Sequence, residues 1–315
     1  MKTREHPNEP KRPRDEFGTI VVGVDGSERN HAAVAWACHE ADETKKKLVL
    51  VAGNDGLPVP LPMPRFSADY TIDDSEDQTR QMLDRVRGQM KPHAAGRTAT
   101  VLVESGKPAD IILRAAERAD LVVVGKRGLG AAKRILVGST SIAVAGRSRV
   151  PVAVVPDEWV QADHPTSPIV VGVDAGSRDE AVLEFAFRRA RDLAVPLIAV
   201  HAWQVPQIYT WSPEDITRWA DVASRDLDIK LTNVADRHTD VEVVRLPQRG
   251  NAAMALLDAG DVSQLIVLGR HTRPEHPGGF AFGSTARGVL HYSTCPVVVI
   301  PQHLDAAAKT DEKER

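Results

Sequence analysis

Glycines, hydroxyls and cations are concentrated at one place in the first half of the chain. Gly125-Lys126-Arg127-Gly128-Leu129-Gly130 directly follows the apolar run Leu121-Val122-Val123-Val124, and Gly138-Ser139-Thr140 comes after seven intervening residues. The spacing Gly-x2-Gly-x9-Gly-Ser suits an anion. Glycine lets the backbone come within hydrogen-bonding distance of a phosphate, and amides at a helix start, helped by the helix dipole, hold negative charge. Ser139 and Thr140 can add hydroxyl donors, while Lys126 and Arg127 can add charge. The same residue types also make an ordinary glycine-rich turn and a serine-capped helix, so the spacing alone leaves both readings open.

A second candidate lies at the end of the first apolar run, where Asp25 follows Ile20-Val21-Val22-Gly23-Val24. A carboxylate there can accept hydrogen bonds from a ribose hydroxyl or an adenine amino group. It can equally prepare the start of the following helix.

These segments recur. Ile20 to Asp25 matches Ile169-Val170-Val171-Gly172-Val173-Asp174 at an offset of 149 residues. Leu121 to Gly125 matches Leu265 to Gly269, Gly138-Ser139-Thr140 matches Gly283-Ser284-Thr285, and Pro151 to Pro156 matches Pro296 to Pro301, at offsets of 144, 145 and 145. Four blocks in one order at nearly constant spacing mean two copies of one domain. The expected boundaries are a disordered tail at 1–16, a first domain at 17–156, a linker at 157–167, a second domain at 168–302 and a disordered tail at 303–315.

The elements that must position these residues follow from periodicity. Val-, Ile- and Leu-rich runs at 19–24, 47–52, 98–103, 120–124 and 151–155 lack strict alternation, as parallel strands covered on both faces do. Helical patterns lie between them. Ser177-Arg178-Asp179-Glu180 reads as a capping box, and Ser212-Pro213-Glu214 opens a long helix to about Asp236 with proline at its tolerated first position. Pro58, Pro60, Pro62 and Pro64 make 53–74 an extended surface loop. The fold class is therefore α/β, with two tandem, doubly wound, five-stranded parallel-sheet domains, and ligands belong at the carboxyl ends of the strands where strand order reverses. Each last strand is a proline-flanked apolar edge, which is expected to pair with its counterpart in the other copy.

The combination of Val24-Asp25-Gly26-Ser27, the glycine pattern from Gly125 to Ser139 and the final Pro151-Val152-Ala153-Val154-Val155 resembles the universal stress protein family, and the two copies resemble its tandem actinobacterial form. The resemblance implies an ATP-binding α/β domain that serves stress adaptation and pairs through its last strand. Carried over by position, Gly23 and Asp25 face the nucleoside, while Gly125, Lys126, Arg127, Gly128, Gly130, Gly138, Ser139 and Thr140 surround the phosphates. In the second copy the corresponding residues are Gly172, Asp174, Gly269, Arg270, His271, Gly283, Ser284 and Thr285. Thr272 stands where the family has glycine, and the stretch to Gly283 is one residue longer, so weaker or altered binding is expected there. If the glycine position requires positive φ, a β-branched residue is strained.

Other chemistries fit less well. Ser105-Gly106-Lys107-Pro108 lacks the first glycine and the hydroxyl of a P-loop, and no third glycine completes a dinucleotide fingerprint after Gly23-Val24-Asp25-Gly26. His271 and His276 have no partners at metal-ligand spacing. Cys38 and Cys295 read as small packing residues, and Trp211 and Trp219 as a packing or partner surface. With 40 basic and 43 acidic side chains, a net charge of −3 and no long apolar run, neither nucleic acid nor membrane is an expected partner. The expected protein is a cytoplasmic, homodimeric nucleotide sensor that binds ATP, alone or with Mg²⁺, and is read by a regulatory protein. It has no assigned catalytic or metal-binding residue. The alternative is a slow ATP hydrolase or nucleotidyl-transferring enzyme in the same pocket.

Overall fold

The computed structural model describes residues 18–54, 72–90, 99–128, 137–160, 166–174, 176, 180–205, 211–270 and 283–301. Strands and helices alternate throughout. The first half runs β1 (Thr19–Gly23), α1 (His31–Thr44), β2 (Lys47–Asn54), α2 (Ile72–Gln89), β3 (Thr100–Ser105), α3 (Pro108–Ala115), β4 (Leu121–Gly125), α4 (Ser139–Arg147) and β5 (Val152–Val155). The second repeats it as β6 (Ile169–Gly172), α5 (Glu180–Leu193), β7 (Leu197–Trp203), α6 (Pro213–Ala235), β8 (Val243–Arg249), α7 (Ala252–Gly260), β9 (Leu265–Arg270), α8 (Ser284–Tyr292) and β10 (Val297–Pro301).

Local chemistry sets several boundaries. Helix α6 opens with a reciprocal box in which Ser212 Oγ accepts the Asp215 amide and Asp215 Oδ2 accepts the Ser212 amide, each at 3.2 Å, with Pro213 in the first turn. Asn251 caps α7 by accepting the amides of Ala253 and Met254. Helices α1 and α5 end alike, since Lys45 and Ala194 both turn left-handed at φ 55° and 53°. Those two residues are also 149 positions apart, so the repeat offset holds through both helices. Strand β2 reaches Asn54 and α2 begins at Ile72, so the loop expected at 53–74 is shorter at both ends than the prolines implied. Its proline-rich middle, the 177–179 part of the expected capping box and both terminal tails lie outside the described residues.

The ten strands form one continuous sheet in the order β3-β2-β1-β4-β5-β10-β9-β6-β7-β8. Within each half all pairs are parallel; β5 and β10 meet antiparallel. Thus the two five-stranded units share a sheet through the apolar last strands. Their register pairs Val154 with Val297, Ala153 with Val298 and Val152 with Val299. Ala153 and Val298 are repeat equivalents, which places a pseudo-two-fold axis between them.

One core lies on each face of the sheet and runs through both halves. On one face α1, α2, α5 and α6 bury residues including Trp36, Leu83, Phe187 and Leu227. On the other, α3, α4, α7 and α8 bury Ile112, Val144, Leu256 and Val289. The sheet interior is almost all Val, Ile and Leu, consistent with strands that see no water on either side. Strand order reverses between β1 and β4, and again between β6 and β9, and these switch points define where to look for a site.

Candidate functional site

At the first switch point, β1 ends in a tight turn. Asp25 Oδ1 accepts the Ser27 amide at 3.0 Å and the Ser27 hydroxyl at 2.8 Å, while Gly26 takes φ 75°. A short 3-10 turn, Glu28–Asn30, then leads into α1. Asn30 is 4% exposed and donates from Nδ2 to the Gly23 carbonyl at 3.1 Å. Its Oδ1 is buried without a hydrogen-bond partner among the described residues. A side chain at Gly125 would meet Asn30 Nδ2 at 3.4 Å, so Asn30 stands between the ends of β1 and β4. Sequence reasoning passed over it because Asn before a helix reads as an ordinary cap.

The β4 end is tied to α4 by two contacts. The Gly138 amide donates to the Lys126 carbonyl at 2.7 Å, and Ser141 Oγ donates to the Gly125 carbonyl at 2.6 Å. Gly138 is the N-cap of α4, with Ser139 exposed and Thr140 half-buried in the first turn. The opening amides of a helix have no intrahelical acceptor and carry its positive dipole end. Ser141 is the second residue missed; its hydroxyl holds this helix start against the strand.

Gly128 closes the crevice from the other side. A Cβ built there would lie 2.4 Å from Asp25 Oδ2, so the two candidate segments converge. The glycine is required by this close approach, since its φ lies outside the left-handed region; the positive φ considered from sequence belongs to Gly26 instead. At Gly128 the reason for glycine is therefore steric. Gly130 lies outside the described residues.

Other expected site residues serve the architecture. A Cβ at Gly23 would meet Ile112 Cδ1 at 2.6 Å, and one at Gly172 would meet Leu268 at 2.8 Å and Leu256 at 3.4 Å. The space that a side chain would take at Gly23 and Gly172 is filled by core side chains, which accounts for glycine at both positions. Lys126 also points elsewhere, its Nζ donating across the seam to the Ser293 carbonyl at 3.0 Å. Burial, with Arg127 close by, holds the Lys126 ammonium below its usual pKa. Arg270, its repeat equivalent, reciprocates through Nη1 to the carbonyls of Ser148 at 2.7 Å and Ala145 at 3.2 Å. Arg127 is held by Asp157 and Glu158, both at 2.8 Å, at the start of the connecting segment. In this arrangement the three cations bind the seam and the connector, not the α4 or α8 start.

The second switch point is partly described. Asp174 Oδ1 accepts the Gly176 amide at 3.0 Å, repeating the turn-building role of Asp25. Gly269 pairs with Ile300 within the sheet. Gly283 caps α8, with no described residue within 4 Å of a Cβ built there, an exposed Ser284 and a half-buried Thr285. His271, Thr272 and His276 lie outside the described residues. Cys38 and Cys295 take no part in either crevice, and burial pushes each thiol up to about 11. Trp211, just before α6, meets Trp219 edge-on at 6.1 Å.

Fold and topology define a tandem, doubly wound α/β protein with one switch point in each half. Residues 16–156 and 165–301 each match the model of the universal stress protein family. The chain is 31% identical over 307 residues to a universal stress protein of Mycobacterium tuberculosis H37Rv, covering 90% of this chain and 95% of the relative. It is also 31% identical over 296 residues to one from Mycolicibacterium smegmatis, covering 90% and 97%. A universal stress protein from Archaeoglobus fulgidus DSM 4304 shares the fold, with a TM-score of 0.64, 21% identity and coverage of 91% and 97%. The chain belongs to the universal stress protein family, with the family domain present in two tandem copies. Among the described residues, no helix is long and apolar enough to cross a membrane.

Proposed function

We propose that the chain is an ATP-binding universal stress protein that acts as a nucleotide-dependent sensor in stress adaptation, with its principal pocket at the β1/β4 switch point. One observation supports this reading: Gly128 lies against the Asp25 carboxylate at the switch point where α4 also starts, a carboxylate and a run of helix-start amides suited to the two ends of a nucleotide. Asp25 accepts from the nucleoside. The amides and hydroxyls of Ser139 and Thr140 receive the phosphates. Because the nearby cations are committed to the seam and connector, phosphate charge is met chiefly by backbone amides, or by Mg²⁺ bound with the nucleotide. The second pocket, built from Asp174, Gly283, Ser284 and Thr285, binds more weakly.

Bound ATP favours one conformation or assembly, which a regulatory protein reads. In this reading the chain is cytoplasmic and homodimeric, through a surface other than the β5–β10 seam. Calorimetry with ATP and with inorganic tripolyphosphate tests the nucleotide assignment. ATP binding more tightly than tripolyphosphate, with the difference lost in Asp25→Ala, supports it; equal affinity for the two in the wild type overturns the nucleoside role of Asp25. Turnover measured with and without Mg²⁺ separates a sensor from a slow hydrolase.

A further inference from the structure

Near the pseudo-two-fold axis the repeat is not self-consistent in charge. Glu40 on α1 and Arg189 on α5 are 149 residues apart, the same offset that relates the two left-handed helix ends, so they are equivalent positions. They meet across the seam, Arg189 Nη2 lying 2.5 Å from Glu40 Oε2, and their side chains are 8% and 7% exposed. Every other seam contact described above joins like to like. Val and Ala face Val, and Lys126 and Arg270 each donate to the carbonyl of the other half's equivalent serine. Among the seam contacts described, this pair sets opposite charges at one equivalent position.

We propose that Glu40 and Arg189 make the seam selective, so that the first half accepts the second half of a chain and rejects another first half. Pairing two first halves in this geometry would bury Glu40 against Glu40; pairing two second halves would bury Arg189 against Arg189. Either brings two like-charged groups together at one buried position without the opposite charge that each meets here, and only Glu40 keeps other cations, Lys46 and His39, close by. The backbone gives no such discrimination, because apolar strands of nearly identical sequence pair equally well in all three combinations.

The pair is poorly built for stability alone. The contact uses one guanidinium nitrogen only, and Arg189 Nη1 is buried with no hydrogen-bond partner among the described residues. Burial also raises the Glu40 carboxyl above its usual pKa despite the Arg189 charge beside it. An apolar pair of similar volume would match or exceed it in stability, which leaves discrimination between partners as its contribution.

Four full-length proteins test this: wild type, E40R, E40R/R189E and E40M/R189M. Each is measured for thermal midpoint, then unfolded, refolded over a range of concentrations and weighed by light scattering. E40R should lower the midpoint by about 5 °C or more. E40R/R189E should restore both the midpoint and the wild-type mass distribution. E40M/R189M should melt no lower than wild type yet refold to concentration-dependent larger species, because its seams no longer distinguish halves. Failure of E40R/R189E to recover the loss would show that the charges do not interact across the seam. Refolding of E40M/R189M to the same single species as wild type would show that they do not select the partner.

Discussion

Replacing Gly128 by alanine isolates the contact that joins the two sides of the pocket. The backbone at 128 lies outside the left-handed region, so alanine brings no conformational strain. Its Cβ would start 2.4 Å from Asp25 Oδ2, whereas comfortable separations are about 3.5 Å, so the carboxylate must retreat by about 1 Å. Asp25 Oδ1 is then drawn away from the Ser27 amide and hydroxyl. Each such bond contributes about 0.5–1.5 kcal/mol net, so Gly128→Ala should cost about 1–3 kcal/mol and weaken ATP binding by displacing the acceptor. In an Asp25→Ala background no other described residue lies within 4 Å of the new methyl group, and the same substitution should cost almost nothing. Urea unfolding of the four members of this double-mutant cycle measures the coupling directly. Additivity to within about 0.5 kcal/mol would refute the proposed contact.

Three further outcomes follow from the site and the seam. Lys126→Met should destabilise the chain by about 1.5 kcal/mol, the low end for a charge-assisted bond at a half-buried site, while leaving ATP affinity unchanged by calorimetry; a large affinity loss with intact stability would return Lys126 to the phosphate site. Cys38 and Cys295, with thiols raised to about 11, should resist alkylation at neutral pH. Their contribution to stability is complete below the ordinary thiol value of 9.0 and is lost as pH rises through about 11, since the unfolded chain gives up those protons first; alkaline melts of the wild type and of Cys→Ala variants should show the difference. Amides of 152–154 and 297–299 should be among the slowest to exchange with deuterium, and rapid exchange there would contradict the β5–β10 pairing.

The order of elements was legible because each is signalled locally. Apolar runs such as Val122-Val123-Val124 mark strands covered on both sides, and Ser212-Pro213 marks a helix start. The seam was legible too, because a proline-flanked apolar edge strand needs a partner and an equivalent one existed. Within the site, Asp25 and Gly128, singled out separately from sequence, lie against each other in the structure. What sequence could not give was direction. Lys126 follows its strand as a phosphate ligand would, yet its acceptor is a backbone carbonyl 167 residues away. Gly23 is a glycine because Ile112 occupies its side-chain space, a packing fact invisible without α3 in place. Asn30 and Ser141 act through single hydrogen bonds to strand carbonyls, and nothing in their spacing distinguishes them from ordinary helix-start residues. The Glu40–Arg189 pair becomes visible only when the repeat offset is laid over the pseudo-two-fold axis.

The central claim is that the β1/β4 crevice holds an adenine nucleotide, and the most direct measurement is native mass spectrometry of the intact chain after gentle purification and again after addition of ATP. The account predicts one tightly held nucleotide per chain, a second bound only at higher ATP, and loss of the first in Gly128→Val. A chain whose mass stays that of the bare polypeptide at millimolar ATP, or two nucleotides bound with equal affinity in both wild type and Gly128→Val, would contradict it.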